Sequence, residues 1–385
     1  MVGEDRILTT HVGSLPRPEA LIELLELREK DPGADPARVR AQLRAEVAAV
    51  VKRQVELGID LVSDGEFSKV SYATYVTERL SGFGGESRGH AAADLKAFPD
   101  YARKLIEIGG VVPSAGGVCC VGPVAPQSAE ALREDLDNFA AALEDARPYG
   151  AFMNAASPGV VSVFQKNAFY PDEDAYIEAV AEALRPEYEA IVAAGHLLQI
   201  DCPDFAMGRH LAFADLSDEA FVGIVERNVA AVNQATRNIP AEKLRVHLCW
   251  GNYEGPHHHD IPLEKIIGAV LKVKARCLLI EGANPRHEHE WKVFEDVRPP
   301  PDTIIVPGVI DSTSNYIEHP ELVAQRIERY AGVVGRERVM AGADCGFSTF
   351  RGLPNVWPDI AWRKLESRVA GARLASARLW GRAPR

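Results

Sequence analysis

No run of apolar residues in this 385-residue chain approaches the roughly 20 needed to cross a bilayer. The first residues, Met-Val-Gly-Glu-Asp-Arg, also lack the basic-then-apolar order of a secretory leader, so no membrane association and a cytoplasmic location are expected. Basic residues are a minority: 43 Lys and Arg stand against 55 Asp and Glu, a formal net charge of -12. A nucleic-acid partner is disfavoured, because binding one needs a cationic face to displace counterions. Cysteine is sparse: six residues, at 119, 120, 202, 249, 277 and 345, are too few and too scattered for a disulfide framework. In a reducing compartment they remain thiols, free to bind metal. Two nucleotide signatures are missing as well. No apolar run leads into Gly-x-Gly-x-x-Gly, and Gly-x4-Gly-Lys-Ser/Thr does not occur. Without an internal repeat or a Ser- or Gly-rich linker, residues 1–385 read as a single domain.

What is present is alternation, in a chain whose 46% hydrophobic and 25% charged residues are ordinary for a soluble enzyme. Apolar runs at 7–12, 59–63, 149–154, 197–201, 244–249, 277–281, 303–309 and 338–343 predict eight strands. Helical spacing predicts helices over 19–30, 36–57, 128–146, 172–194, 217–238, 262–274 and 320–334, the first two split by Asp31-Pro32-Gly33. Between 281 and 303 the helical signal is short, around 288–294, and the tail 358–385 carries a closing helix to about residue 380. Glycine-punctuated residues 81–123 read as an excursion or hairpin after the second strand. Strands separated by helices imply a parallel α/β fold, either a closed (β/α)8 TIM barrel or an open doubly wound sheet. Nearly every strand ends in a polar or ligand-capable residue: Ser14, Glu66, Ser157, Asp201, His247 with Cys249, Glu281, Asp311 and Cys345. Only a closed barrel brings all eight ends to one mouth, so the TIM barrel is expected.

The chemistry centres on His247 and Cys249. Side chains two apart on a strand share a face, so an imidazole and a thiol converge as half of a tetrahedral zinc site. Cys345 and Glu281, each just past an apolar run, are candidates for the other half. The plain alternative is a buried cysteine beside a hydrogen-bonded histidine. Two cysteinates and a carboxylate would make an electron-rich centre suited to activating an added thiol, whereas hydrolytic zinc usually keeps neutral histidines. A structural zinc would favour short spacings such as Cys-x2-Cys. The run His257-His-His-Asp260 cannot aim three consecutive side chains at one ion, and reads as a loop facing the mouth with one histidine contacting substrate or orienting a ligand. Arg286, His287 and His289 suit either an anionic part of a substrate or a solvated helix start. Asp311 either orients Thr313 or a zinc-bound group, or caps a loop. Trp250, Tyr253 and Phe347 would wall the site, and Cys119, Cys120, Cys202 and Cys277 fit the core.

Seven segments together resemble the cobalamin-independent methionine synthases, in particular their C-terminal catalytic barrel. They are Thr9-Thr-His-Val-Gly-Ser-Leu-Pro-Arg, Val62-Ser-Asp-Gly-Glu, Leu198-Gln-Ile-Asp, Val246-His-Leu-Cys, Ile280-Glu, Pro307-Gly-Val-Ile-Asp and Gly342-Ala-Asp-Cys-Gly. Three further stretches, beginning at Gly255, Glu281 and Asn315, resemble the short single-barrel branch, itself similar to zinc-dependent epoxyalkane:coenzyme M transferases. The resemblance implies Zn2+ held by His247, Cys249, Glu281 and Cys345. It also implies that Asp201 and Glu66 hold the ammonium of an amino-acid thiol such as homocysteine, with the Val12-Gly13-Ser14 turn at its carboxylate. Backbone N–H groups suit a carboxylate, and paired acids an ammonium.

The chain departs from the long enzymes in having no second, N-terminal barrel and in placing Thr313 where they carry a proton-donating histidine. A folate donor is therefore disfavoured unless His319 or one of His257, His258 and His259 substitutes. The expected activity is zinc-dependent alkyl transfer, methyl transfer to homocysteine or a related small-molecule thiol first. Thiol addition to an epoxide is its rival. A non-catalytic zinc or methyl-corrinoid carrier is the alternative of another class, and a decarboxylase resembling uroporphyrinogen decarboxylase leaves the thiols unexplained. Oligomeric state, including a homo-oligomer, is left open.

Overall fold

Eight short parallel strands carry the architecture: β1 Leu8–Thr9, β2 Leu61–Val62, β3 Gly150–Ala156, β4 Leu197–Asp201, β5 Leu244–Leu248, β6 Cys277–Ile280, β7 Ile304–Pro307 and β8 Met340–Ala341. The computed structural model describes residues 5–30, 35–87, 89–107, 117–352 and 355–381. Strands β2 to β7 form one parallel sheet in sequence order, and β1 pairs with β8. Parallel bridges Ile305↔Val339 and Gly308↔Gly342 join β7 to β8. On the other side the Asp60 N–H donates to Thr9 O (3.2 Å), and the Thr9 N–H donates to Asp60 Oδ2 (2.8 Å). The ring so completed is the expected TIM barrel.

Strand parity divides the core in two. Leu8, Leu61, Phe152, Leu197, Cys277, Leu279, Ile304, Val306 and Met340 form a small cluster inside the barrel. The opposite parity, with Leu198, Ile200, Val246, Leu278, Ile280 and Ile305, belongs to the larger core against the helices. Climbing the inward face, the side chains turn polar: Leu197, Gln199 and Asp201 on β4; Arg245, His247 and then Cys249 on β5; Cys277, Leu279 and then Glu281 on β6. Arg245 lies over the Phe152 ring at 3.9 Å and donates to Thr10 Oγ1 (2.9 Å) and Gln199 Oε1 (2.9 Å), so the buried cation sits on a polar layer below the mouth. Parity alone thus aims the chemical residues inward at the strands' C-terminal ends, where barrel sites form.

The helices follow local signals closely. Helix Pro36–Leu57 starts with Pro36 behind Asp35, whose side chain accepts from the Arg38 N–H, and stops at Gly58 (φ 84°). Asp172 and Ser217 cap the N-termini of helices Glu173–Ala193 and Asp218–Ala235 in the same way. Helices Glu19–Lys30 and Pro320–Val334 span the expected residues, and Pro358–Leu379 closes the chain. The end strands are shorter than the apolar runs predict. Beyond β2 the backbone leaves the sheet through Gly65 (φ 71°) and Glu66 (φ 57°), so the apolar run outlasts its pairing. Between β2 and β3 an antiparallel hairpin pairs Phe83–Ser87 with Gly117–Cys120. The Asp31-Pro32-Gly33 break, residues 88 and 108–116 of the 81–123 stretch, and the last four residues of the tail lie outside the described residues. Among those described, no helix is long and apolar enough to cross a membrane.

Candidate metal centre

His247, Cys249 and Cys345 come together at the mouth, with ligand atoms all within 4.8 Å of one another and all three residues buried. A tetrahedral zinc with bonds of about 2.0 to 2.3 Å separates its ligands by roughly 3.5 Å, so the cluster can close on one ion with small side-chain movements. Cys345 donates a hydrogen bond to Cys249, which together with the charge of His247 holds the Cys249 thiol below its usual range against the effect of burial. That same bond, with burial, pushes Cys345 well above. The hydrogen bond thus favours the thiolate of Cys249 and the thiol of Cys345, and a bound cation would favour the thiolate of both. For His247, burial opposes the charged form, but Asp201 and Cys249 outweigh it and its pKa is raised.

Asp201 is the register partner of His247 on the neighbouring strand. Its Oδ1 lies 3.4 Å from His247 Nδ1, while Oδ2 accepts from Asn154 Nδ2 (2.9 Å) and Oδ1 from Gln199 Nε2 (3.1 Å). The other ring nitrogen, Nε2, is 3.2 Å from Asp344 O. Glu66 faces the same space: burial pushes its carboxyl up to about 7, with Lys69 opposing and the charges of Asp201 and Asp64 adding. The buried Glu66 carboxyl thus feels the charge of the buried Asp201. Lys69 Nζ donates to Asn154 O (2.7 Å), binding β3 to the loop after β2. Sequence reasoning missed Asn154 and Lys69; a polar residue inside an otherwise apolar strand was the available signal for Asn154.

Glu281 adjoins the three-residue cluster without being part of it. Its Oε1 accepts from the Trp250 N–H (2.8 Å) and its Oε2 from Asn284 Nδ2 (2.7 Å). Burial and the nearby Cys249 and Asp344 charges push its carboxyl well above the normal range. Asp344, read in sequence only as part of a motif, orders this corner: Oδ1 accepts from the N–H groups of Gly282 and Ala283 (both 2.9 Å), and Oδ2 from Asn284 N (2.8 Å) and Nδ2 (3.0 Å). Tyr72 was missed too. It lies close enough to both thiols and Asp201 for their charges to add to burial in raising its phenol.

The Gly13-Ser14 turn packs into the same mouth. Gly13 has φ 135°, and a Cβ there would collide with Asn154. Ser14 Oγ accepts from the Ser348 N–H (3.3 Å), Ser14 O accepts from Phe347 N (2.9 Å), and Gly346 has no room for a Cβ against Ser14 Oγ. The first strand's loop is thus interlocked with the cysteine-bearing loop of the last.

Four candidate residues make contacts away from the cysteine cluster. Asp311 orients Thr313 and caps its own loop: Oδ1 accepts from Thr313 N and Oγ1 (both 2.9 Å), and Oδ2 from Ser314 N (2.9 Å). A carboxylate so occupied is a poor substrate ligand. His319 is exposed and caps helix Pro320–Val334, its Nδ1 accepting from the Glu321 N–H (3.1 Å). Arg286 is exposed, its N–H bonded to Asn284 Oδ1 (3.1 Å) in the turn after β6. Ser157 caps a helix and donates to Asp204 Oδ1 (2.5 Å).

Known proteins resemble this chain along nearly its whole length. The chain is 25% identical over 379 residues to the methionine synthase of Saccharolobus solfataricus, covering 96% of this chain and 95% of the relative. With that of Sulfolobus acidocaldarius it is 26% identical over 372 residues, covering 96% and 93%. Among solved structures, the B12-independent methionine synthase from Shewanella superposes with a TM-score of 0.74 at 18% identity, covering 98% of this chain and 99% of that one. A Listeria monocytogenes protein assigned as a vitamin-B12-independent methionine synthase does so at 0.64 with 21% identity, covering 95% and 98%. The profile of the cobalamin-independent synthase catalytic domain matches residues 7–97 and 159–360. The resemblance read from the motifs therefore holds, and the chain belongs to the cobalamin-independent synthase catalytic-domain family.

Proposed function

We propose that the protein is a zinc-dependent methyltransferase whose acceptor is homocysteine or a closely similar amino-acid thiol. The observation that carries this reading is the convergence of His247, Cys249 and Cys345 at the mouth, in a family whose curated relatives are methionine synthases. These three residues would hold the ion, with Glu281 beside them to complete the shell. A zinc ion there supplies the positive charge that keeps an added thiol, of ordinary pKa about 8.5, deprotonated at neutral pH.

The chain's own residues supply the rest. Asp201 and Glu66 bind the ammonium of the acceptor, and the Gly13-Ser14 turn offers N–H and hydroxyl groups to its carboxylate. Together they point the acceptor's sulfur at the cysteine cluster. Asp201 does two jobs, because the carboxylate that meets the ammonium also orients His247. Trp250, Tyr253, Phe347 and Tyr72 exclude water from the attacking sulfur.

A donor that leaves without being protonated, such as a sulfonium or a methyl-corrinoid, fits better than a folate. Thr313 is hydrogen-bonded to Asp311 and His319 serves as a helix cap, so neither is placed as the acid that a leaving nitrogen requires. The test is turnover of homocysteine by the zinc-loaded protein with methylcobalamin, S-methylmethionine and methyl-folate in parallel, and coenzyme M with epoxypropane as control. Methylation with either of the first two donors is expected. Turnover confined to the epoxide would overturn the reading.

A further inference from the structure

Two histidine-rich motifs left unassigned by this chemistry meet above the centre. Asp260, at the end of the His257-His-His run, is buried among three imidazoles: its Oδ2 accepts from His257 Nδ1 (2.9 Å) and His287 Nε2 (3.0 Å), and His210 Nδ1 lies 2.9 Å from Oδ1 without hydrogen-bond alignment. His287 Nδ1 is bonded to Glu290 Oε2 (2.8 Å). Asp94, from the stretch after β2, accepts from the Tyr253 hydroxyl (2.6 Å) and the His257 N–H (2.9 Å). Four loops of the mouth are tied together by this network. It is not a second metal cradle. Among the described residues, only His247, Cys249 and Cys345 gather three metal-capable donors within 4.8 Å of one another; the imidazoles instead surround a carboxylate at hydrogen-bonding distance.

The network meets the centre at Trp250. The His287 ring lies flat on Trp250, with centroids 3.8 Å apart and planes inclined by 21°. The indole N–H of Trp250 donates to Ile261 O (2.7 Å), next to Asp260, and its backbone N–H donates to Glu281 Oε1 (2.8 Å). Trp250 follows Cys249 directly, so whatever fixes the indole fixes both the cysteine's backbone and the carboxylate. We propose that Asp260 is a positioning residue: by gathering His210, His257 and His287 it clamps His287 onto Trp250 and thereby holds Glu281 beside the two cysteines. Burial works against charge on His287, but Asp260 and Glu290 raise its pKa to about 9, consistent with a cationic ring on the indole face. The proposal rests on reading the cluster as a metal centre.

A double-mutant cycle tests it on the full-length protein, with zinc affinity measured by chelator competition and the cobalt(II)-substituted spectrum as a second readout. Asp260→Asn is expected to weaken zinc binding roughly 10- to 100-fold and to shift the cobalt bands. In a Glu281→Gln background the same change is expected to add little, because its route to the metal is already cut. Equal losses in both backgrounds, or an unchanged affinity in the first, overturn the proposal. Should Asp260→Asn fail to fold, His287→Gln takes its place in the cycle. Absence of zinc binding by the wild-type protein is a separate result, which would fell the metal-centre reading and this inference with it.

Discussion

Asp201 and His247 are register partners on adjacent strands, and their side chains meet with Asp201 Oδ1 3.4 Å from His247 Nδ1. One carboxylate thus orients the imidazole that lies beside Cys249 and Cys345, and in the proposed function it also meets the ammonium of the acceptor. Asp201→Asn keeps the shape and removes the charge. Losing a charge-assisted hydrogen bond costs about 1.5 to 3 kcal/mol, so homocysteine affinity should fall roughly 10- to 100-fold. Calorimetric titration of the zinc-loaded variant checks this; an unchanged dissociation constant would remove Asp201 from substrate recognition.

Cys249→Ser and Cys345→Ser should each abolish stoichiometric zinc and thiol turnover, whereas Cys277→Ser, on the barrel floor, should spare both. Prolonged chelation of the wild-type protein should likewise stop turnover, and zinc should restore it. Metal content by mass spectrometry and initial rates decide the matter. Full activity in either serine variant would move the chemistry away from the sulfur pair.

Glu66 gives the acceptor a pH dependence whose sign follows from its raised carboxyl, at about 7. An ammonium binds the ionised form and lowers that value, so binding releases a proton. Affinity for methionine, which carries the same ammonium but has no thiol proton to lose on binding, should improve close to tenfold per pH unit as pH rises to 7 and level off above it, until the ammonium itself deprotonates. In Glu66→Gln the slope should vanish. A wild-type affinity independent of pH between 5.5 and 7 contradicts this assignment.

His319→Ala should leave kcat with the working methyl donor unchanged and lower stability by about 0.5 to 1 kcal/mol, the worth of a helix cap. Chemical denaturation and a rate assay separate the two effects. A large drop in kcat with intact folding would return His319 to the catalytic machinery.

The histidine network should make the protein less stable in alkali. His257 and His287 both have pKa values raised to about 9, burial opposing and Asp260 favouring the charge. A pKa raised on folding stabilises fully below the unfolded value of about 6.5, and that stability is lost as pH rises through 9. The unfolding midpoint should therefore fall between pH 7 and 9.5 in the wild type and fall less steeply, from a lower starting point, in Asp260→Asn. Parallel curves would show that the network carries no such charge.

Much of this was legible in the amino-acid order because it was local. Asp35-Pro36 and Gly58 bracket a helix whatever surrounds them, and the two-residue spacing of His247 and Cys249 fixes a common face once a strand is granted. What stayed hidden depends on contacts between distant segments. Nothing near His319 shows that its ring will accept a backbone N–H and face solvent. Nothing near Asp260 shows that His210 and His287, 50 and 27 residues away, will close around it. In the run of three histidines only one ring turns inward: the backbone at His257 is left-handed (φ 52°) and its ring meets Asp260, while His258 and His259 are left exposed. Glu281 was placed on the right strand, yet its tie to the Trp250 N–H could be found only in three dimensions.

The interlock of Ser14 with Gly346 and Phe347 also sets a timetable for synthesis. A growing polypeptide presents His247 and Cys249 long before Cys345 has been translated, and the opening turn has no partner until then. Zinc captured early would meet an incomplete set of donors, held loosely and open to exchange with other cellular thiols. For the proposed zinc, tight loading would wait until the eighth strand has left the ribosome and the two ends of the barrel have met.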